Sequence, residues 1–446
     1  MRLILIFLLF TSIIWGQNIK GKVLEENTST PIEDVNIFVS KGNLGTATDS
    51  DGFFSLSIDS KKFLNDSLQF SAIGYFPKNI AIRYLINKNS TVYLSKKTEE
   101  LEEVTVSDDR ALRATLQYKK LASLEEGLYS FASTILDDKI YIFGGDKSYI
   151  EDSGVKALER SDGTMEQFLK YYKTNQTWES YSDQLLIYDI HKDAWTTSDI
   201  TFEKRAYHNV QVQHNKFYLF GGKTLSKSKR LEYLDEKIEI YNPETKKIQI
   251  DPVNPHQAIN FGSFTYKDNI IVMGGSTKLK PNGRKVFTKK SHMFNVTSGN
   301  WYELPEMTKE KEVSGVMLEN KVYLVGGFNT VPLKEIESYD VLTGEWHEKG
   351  KLFRGIQTAA PTTHNNIIYI FDEDRMLTFN TETHLLNEYR IDLMVKNAQL
   401  YYHNNTIYLV GGYWENSFSQ NPSSDVYSIS LHEFSKTETH HSKVVF

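Results

Sequence analysis

The chain contains no cysteine among its 446 residues. That excludes disulfides, thiolate metal sites, a cysteine nucleophile and lipid attachment through an N-terminal Cys. Proline is sparse: 10 residues, against 26 Tyr and 25 Phe. Such an aromatic bias suits pleated, half-buried strands. Basic residues are not in excess either, since 51 Lys and Arg against 57 Asp and Glu give a formal charge of −6. No overall electrostatic drive toward nucleic acid follows from that balance. Long apolar runs are missing beyond the first residues. Leu3 to Ile14 is apolar except for Thr11 and Ser12, and it lies between Met1-Arg2 and Ile14-Trp15-Gly16-Gln17. This run is short for a membrane span and reads as a signal peptide over residues 1–17. The mature chain is then expected to be exported to the periplasm or the outer-membrane and cell surface, without a membrane span.

Catalytic signatures are equally scarce. There is no G-x-S-x-G elbow, H-E-x-x-H helix, phosphate-binding loop or G-x-G-x-x-G turn. His440-His441 sits in a polar stretch and reads as solvated, so no metal or cofactor is expected.

What is present exceeds one hydrophobic core in length and divides in two. From residue 18 to 107, short alternating strands such as Val35 to Val39, Phe53 to Ile58 and Ser67 to Phe70 are separated by turn residues, the pattern of a small antiparallel sandwich. Gly21-Lys22-Val23, Pro31-Ile32, Val35-Asn36-Ile37, Gly45-Thr46-Ala47-Thr48-Asp49-Ser50-Asp51-Gly52-Phe53-Phe54 and Phe70-Ser71-Ala72-Ile73-Gly74-Tyr75 occur in order. Together they resemble the carboxypeptidase regulatory-like family. The resemblance implies a non-catalytic β-domain common at the front of exported proteins of the Bacteroidetes type. The acidic Glu99-to-Val106 stretch is similar to the lead-in that follows this domain in outer-membrane receptors, but no barrel follows here. Asp49-Ser50-Asp51-Gly52 lacks the later ligands of a calcium loop, with Phe53 and Phe54 in their place, and reads as a tight turn.

Residues 108–111 read as a linker, and residues 112–434 as a repeat. Glycine pairs follow apolar strands at Phe143-Gly144-Gly145, Phe220-Gly221-Gly222, Met273-Gly274-Gly275, Val325-Gly326-Gly327 and Val410-Gly411-Gly412. A sixth copy, Ile370-Phe371-Asp372-Glu373, has lost both glycines. A second marker is an aromatic followed seven residues later by a bulky group: Tyr188 and Trp195, Tyr241 and Ile248, Phe294 and Trp301, Tyr339 and Trp346, Phe379 and Leu386. The distance from the bulky marker to the residue before the next glycine pair is 24 or 25 throughout, whereas the complementary distance runs from 15 to 52. One half of the repeat is therefore packed strand, and the other half holds a surface loop. The markers resemble kelch repeats, with paired glycines ending the second strand and Trp opening the fourth. That resemblance implies a six-bladed kelch β-propeller. Counting back from Phe143 places a strand near Tyr118, expected to close the ring on the sixth blade. In the alternative, Lys443 to Phe446 closes it. Residues 435–446 are otherwise a polar tail.

The kelch resemblance also implies two enzymatic possibilities. A copper oxidase of the galactose-oxidase type needs a Tyr–Cys crosslink, which this chain cannot form. A sugar mutarotase, of the kind that acts on sialic acid, would need acid and base groups at the channel mouth, where Arg205, His208 and Arg354 are candidates. The loops carry the other candidates. Each variable segment joins the second strand to the third, so all are expected on one rim. Lys227, Arg230, Lys278, Lys280, Arg284 and Lys285 belong to an acid-free basic arc on the second and third loops. Trp178, Tyr413 and Trp414 lie on the first and sixth. The expected function is non-catalytic docking of a glycan or an envelope protein on this rim.

Overall fold

The computed structural model describes residues 17–445 apart from 27, 40–43, 60–62, 65, 73, 87–88, 97–111, 162, 173–175, 179, 228–230 and 280–284. Residues 1–16 of the expected signal peptide, the Glu99-to-Val106 stretch and the linker 108–111 lie outside the described residues. Contacts divide the chain into two units, Met1–Arg110 and Ala111–Phe446.

The first unit packs two sheets on one core. One contains Gln17–Glu25 between Phe53–Ile58 and Asn89–Leu94; the other runs Gly45–Ala47, Asn36–Val39, Ser67–Ser71, Lys78–Ala81. Alternation does the work locally. In Phe53–Ile58 the residues Phe54, Leu56 and Ile58 are buried while Phe53, Ser55 and Ser57 face out. The sandwich is not wholly antiparallel, because Gln17–Glu25 pairs in parallel with Asn89–Leu94. Asp49 Oδ1 accepts from the backbone of Asp51 (3.1 Å) and Phe53 (2.8 Å), which closes the turn on itself.

Among the described residues of the second unit, six sheets follow the repeat, and smaller sheets are built by the connections between their strands. The first consists of Ala132–Leu136, Lys139–Phe143, Gln184–Asp189 and Ala194–Thr201; the second of Asn209–Gln213, Lys216–Phe220, Ile238–Asn242 and Lys247–Asp251. The third, Gly262–Tyr266 to Asn300–Leu304, and the fourth, Gly315–Leu318 to Trp346–Ile356, repeat the order. The seven-residue marker spacing has a simple cause: its two residues face each other across the third and fourth strands. Tyr188 pairs with Trp195, Tyr241 with Ile248, Phe294 with Trp301, Tyr339 with Trp346 and Phe379 with Leu386. In the three Trp-containing pairs whose rings are Tyr188–Trp195, Phe294–Trp301 and Tyr339–Trp346, the centroids are 5.0 Å apart.

Glycine pairs join one sheet to the next. The second glycine's N–H donates to a carbonyl leading into the following sheet: Gly145 to Arg205, Gly222 to Ala258, Gly275 to Lys311, Gly327 to Ile356 and Gly412 to Leu128. Side chains are excluded here. A Cβ on Gly327, where φ is 107°, would lie 2.3 Å from the Glu312 carbonyl oxygen. The first strand of each sheet lies against the first strand of the next, and that of the sixth (Gln399–His403) against that of the first.

The fifth sheet differs. Its second and third strands form one run, Ile367–Asn380, whose ends meet where Thr381 N–H donates to Asn366 O at 2.8 Å. The run doubles back at Glu373, with φ of 58°. Both ends of the second unit add strands at the outer edges. Lys119–Lys120 pairs with Tyr427 and Ser428 of the sixth sheet. His441–Val444 pairs with the outer strand Leu385–Val395 of the fifth sheet, not the sixth. Residues 435–445 are thus a structured segment rather than a polar tail: Val445 is buried in the core shared by the fourth and fifth sheets. Among the described residues no helix is long and apolar enough to cross a membrane.

Candidate functional site

The second-to-third-strand connections build upon one another. Those of the first and sixth sheets share a four-stranded sheet, Gln176–Trp178, Tyr149–Glu151, Ser419–Pro422, Tyr413–Glu415. Tyr181 Oη of the first connection donates to Glu232 of the second at 3.2 Å. Phe287 of the third meets Phe328 of the fourth, ring centroids 5.9 Å apart. The first connection also carries two short helices, α1 (Ser153–Arg160) and α2 (Met165–Tyr171). Asp152 caps α1 by accepting from Gly154 N and Val155 N, and Thr164 caps α2 through Gln167 N. These helices were not read from the sequence, although Asp152 and Thr164 were available as start signals. Ala157 and Ser153 are buried beneath them, while Leu158 is 65% exposed, Leu169 61% and Met165 70%. Ile150, Tyr172 and Trp414 are also exposed. With Tyr171, seven large apolar side chains among the described residues thus face solvent on the first and sixth connections.

The basic arc is not brought together as a free positive field among its described residues. Lys223 pairs with Glu232 at 2.5 Å, Lys285 with Glu312 at 2.6 Å and Lys289 with Glu306 at 2.7 Å. Lys227 is exposed. Arg230, Lys280 and Arg284, with the side chains of Lys278 and Trp178, lie outside the described residues. Tyr413 is half-buried and stacks edge-on with Tyr129, centroids 5.1 Å apart.

The structure buries two of the three channel-mouth candidates, Arg205 and His208, beside each other and leaves Arg354 accessible. Arg205 is fully buried and committed to Asp235 (2.5 Å) and to Glu239. Its carbonyl holds Gly145, so this residue fastens the first sheet to the second. Burial outweighs Arg205 and keeps the Asp235 carboxyl above its usual range. His208 is 4% exposed, and burial followed by the Arg205 charge hold its pKa well below the ordinary value. Arg205 is thus held within the seam, and His208 is buried beside it at the wall of the central cavity. Lys311 repeats the Arg205 arrangement between the third and fourth sheets, with Glu337 at 2.5 Å and Gly326 O at 3.1 Å.

Arg354 alone of the three is accessible. It faces Asp372 (3.3 Å) and Asp374 (3.4 Å) in a polar notch over the glycine-less fifth sheet. Lys396, bridging Glu373 and Glu415, forms the opposite wall, and the notch measures about 520 Å³. Burial outweighs Arg354 and pushes the Asp372 carboxyl up to about 6. Gln357, Thr358 and Asn397 are shared with a cavity of about 160 Å³ lined by the starts of the six first strands. That cavity is walled by Ser, Asn, Gln, Tyr and His side chains with a single carboxylate, Glu312, which is already bound to Lys285 and Ser276.

Two family models match the sequence: a CarboxypepD_reg-like domain over residues 19–106 and the KLHDC2/KLHL20/DRC7 Kelch-repeats domain over residues 171–379. The chain is a kelch-repeat protein. It is 24% identical over 180 residues to Kelch-like protein 40 of Xenopus laevis, covering 40% of this chain and 28% of that one. It is 21% identical over 248 residues to an N-(sulfonatooxy)prop-2-enimidothioate sulfolyase of Thlaspi arvense, covering 49% and 61%. The kelch-repeat chain therefore spans less than two thirds of either relative. Among solved structures, YjhT superposes with a TM-score of 0.52 at 13% identity, covering 68% of this chain and 95% of that one. That likeness concerns fold alone.

Proposed function

We propose that this kelch-repeat protein is an exported, non-catalytic docking module. Its six sheets are the blades of a closed β-propeller, with the strand at Lys119–Lys120 completing the sixth blade. The unbroken series of contacting first strands supports this reading, as does the Gly412–Leu128 hydrogen bond from the last sheet back to the start of the first. A protein partner seats on the rim formed by the second-to-third-strand connections. One observation carries the choice of rim: Leu158, Met165, Leu169, Tyr172, Ile150 and Trp414 are exposed together on connections that have folded into a sheet and two capped helices. Apolar side chains held this rigidly lose little entropy on binding, and aromatic anchors commonly dominate such interfaces.

The test compares three immobilised mature proteins for capture from an envelope fraction: unmodified, Leu158→Glu/Met165→Glu/Leu169→Glu, and Lys278→Glu/Lys280→Glu/Arg284→Glu/Lys285→Glu. The apolar-patch variant should lose the partner and the charge variant should keep it. Loss only in the charge variant, together with weakening by salt, would instead favour an anionic glycan or protein on the basic arc. For export, the protein recovered from the envelope should begin near Gln17 or Asn18; an intact Met1 would mean that the segment anchors it.

A further inference from the structure

The C-terminal strand brings two histidines to a buried carboxylate. His441 is the direct cross-strand partner of Glu388, and His440 N–H donates to Glu388 O at 2.8 Å. Glu388 is 5% exposed and His441 Nδ1 lies 3.1 Å from its Oε1, whereas both histidines face solvent. One ligand atom from each of Glu388, His440 and His441 can be chosen so that all lie within 4.8 Å of one another. We propose that Glu388, His440 and His441 form a transition-metal site of the zinc class that clamps the C-terminal strand onto the fifth sheet.

The surrounding groups suit the roles this requires. Two imidazoles and one carboxylate form a borderline donor set, which favours zinc and disfavours the oxygen-seeking magnesium and calcium. Ligands at about 2.0–2.1 Å from a tetrahedral ion sit about 3.4 Å from each other, so the exposed rings need only turn inward. A solvent molecule would take the fourth position. Arg375 reaches the other carboxylate oxygen of Glu388, Oε2, at 3.4 Å and so holds the carboxylate with Oε1 toward His441, the kind of outer support that ligating carboxylates receive. Arg390 is the competitor. Its Nη2 lies 3.1 Å from His440 Nε2, and because a guanidinium can only donate, that nitrogen presents its lone pair. Arg390 is exposed and can yield the position to an ion.

The experiment titrates zinc chloride into the full mature chain, prepared without a histidine tag and stripped with EDTA, following heat and the thermal midpoint. One saturable site per chain is expected, with the midpoint rising as zinc is added and magnesium chloride giving neither response. His441→Gln should weaken binding by about tenfold or more. Glu388→Gln also disturbs Arg375, so the exposed His441→Gln variant keeps the test independent of folding. Arg390→Gln should tighten binding, which a loose histidine-rich segment would not show. Cobalt bound at the site should give the intense visible absorption of a tetrahedral complex. The proposal is overturned by an absence of saturable binding, by His441→Gln binding as tightly as the unmodified chain, or by zinc raising the midpoint equally in the His440→Gln/His441→Gln variant.

Discussion

At the scale of single residues, buried polar side chains fasten the sheets together, and their chemistry sets how the protein responds to change. His256 Nε2 lies 2.9 Å from Gly274 O and must donate to it, so its Nδ1 accepts from His292 Nδ1 at 3.0 Å. Burial lowers the His256 pKa to about 4. In the unfolded chain it returns to about 6.5. Between those values the unfolded state takes up the proton and the folded state does not, so stability is complete above pH 6.5 and falls as pH drops toward 4. The loss amounts to roughly 3 kcal/mol. Urea unfolding from pH 7 to 4 should show it, and His256→Gln should flatten that part of the profile; an unchanged slope would contradict the assignment. Arg205 gives a second expectation. Arg205→Met leaves Asp235 and Glu239 buried without their cation and should cost about 3–5 kcal/mol. Arg205→Met/Asp235→Asn/Glu239→Gln should recover most of it, since neutral groups are cheaper to bury.

At the scale of elements, the terminal segments of the repeat unit act as straps. The segment from Arg113 to Leu128 crosses three sheets in turn: Leu116 N–H donates to Arg390 O of the fifth, Leu121 N–H to Val426 O of the sixth, and Ala122 O accepts from Trp195 Nε1 of the first. Deleting Ala114 to Leu121 should therefore lower the thermal midpoint sharply. The C-terminal segment matters as well. Val445 packs on Gly350, and Lys443 Nζ lies 4.7 Å from the Phe353 ring centroid. Val445→Ala should cost about 2 kcal/mol through lost burial and a residual cavity. Removing His441 to Phe446 should cost more, because the outer strand Leu385–Val395 then loses its neighbour. If calorimetry showed no change on that truncation, the segment would be an ornament rather than a strap.

Considered whole, the molecule is two units with separate cores, and the rim, the notch and the histidine cluster all belong to the second. Residues 111–446 expressed alone should unfold cooperatively at the midpoint of the corresponding transition in the full chain. They should also retain the rim-bound partner with unchanged Kd. A loss of binding without a loss of stability would move the docking surface to the first unit.

The sequence by itself determined the repeat. Glycine pairs mark positions that combine positive φ with a carbonyl where a Cβ would go, and aromatic–Trp spacing marks cross-strand partners; both are local requirements that leave a residue-level trace. It also showed that the fifth repeat was exceptional, since Asp372-Glu373 stands where the glycines should be. Tertiary structure decided the rest. Arg205 and His208 look the same in sequence whether they face a channel or a seam, and only the packing of neighbouring sheets buries them. Lys223, Lys285 and Lys289 of the second and third connections meet Glu232, Glu312 and Glu306 by folding, not by sequence order. The C-terminal residues alternate too weakly to read as a strand. They become one because the fifth sheet offers an open edge and Val445 finds a core made by other residues. Exposure of Leu158, Met165 and Leu169 is likewise a fact about what failed to cover them, and no local pattern records it.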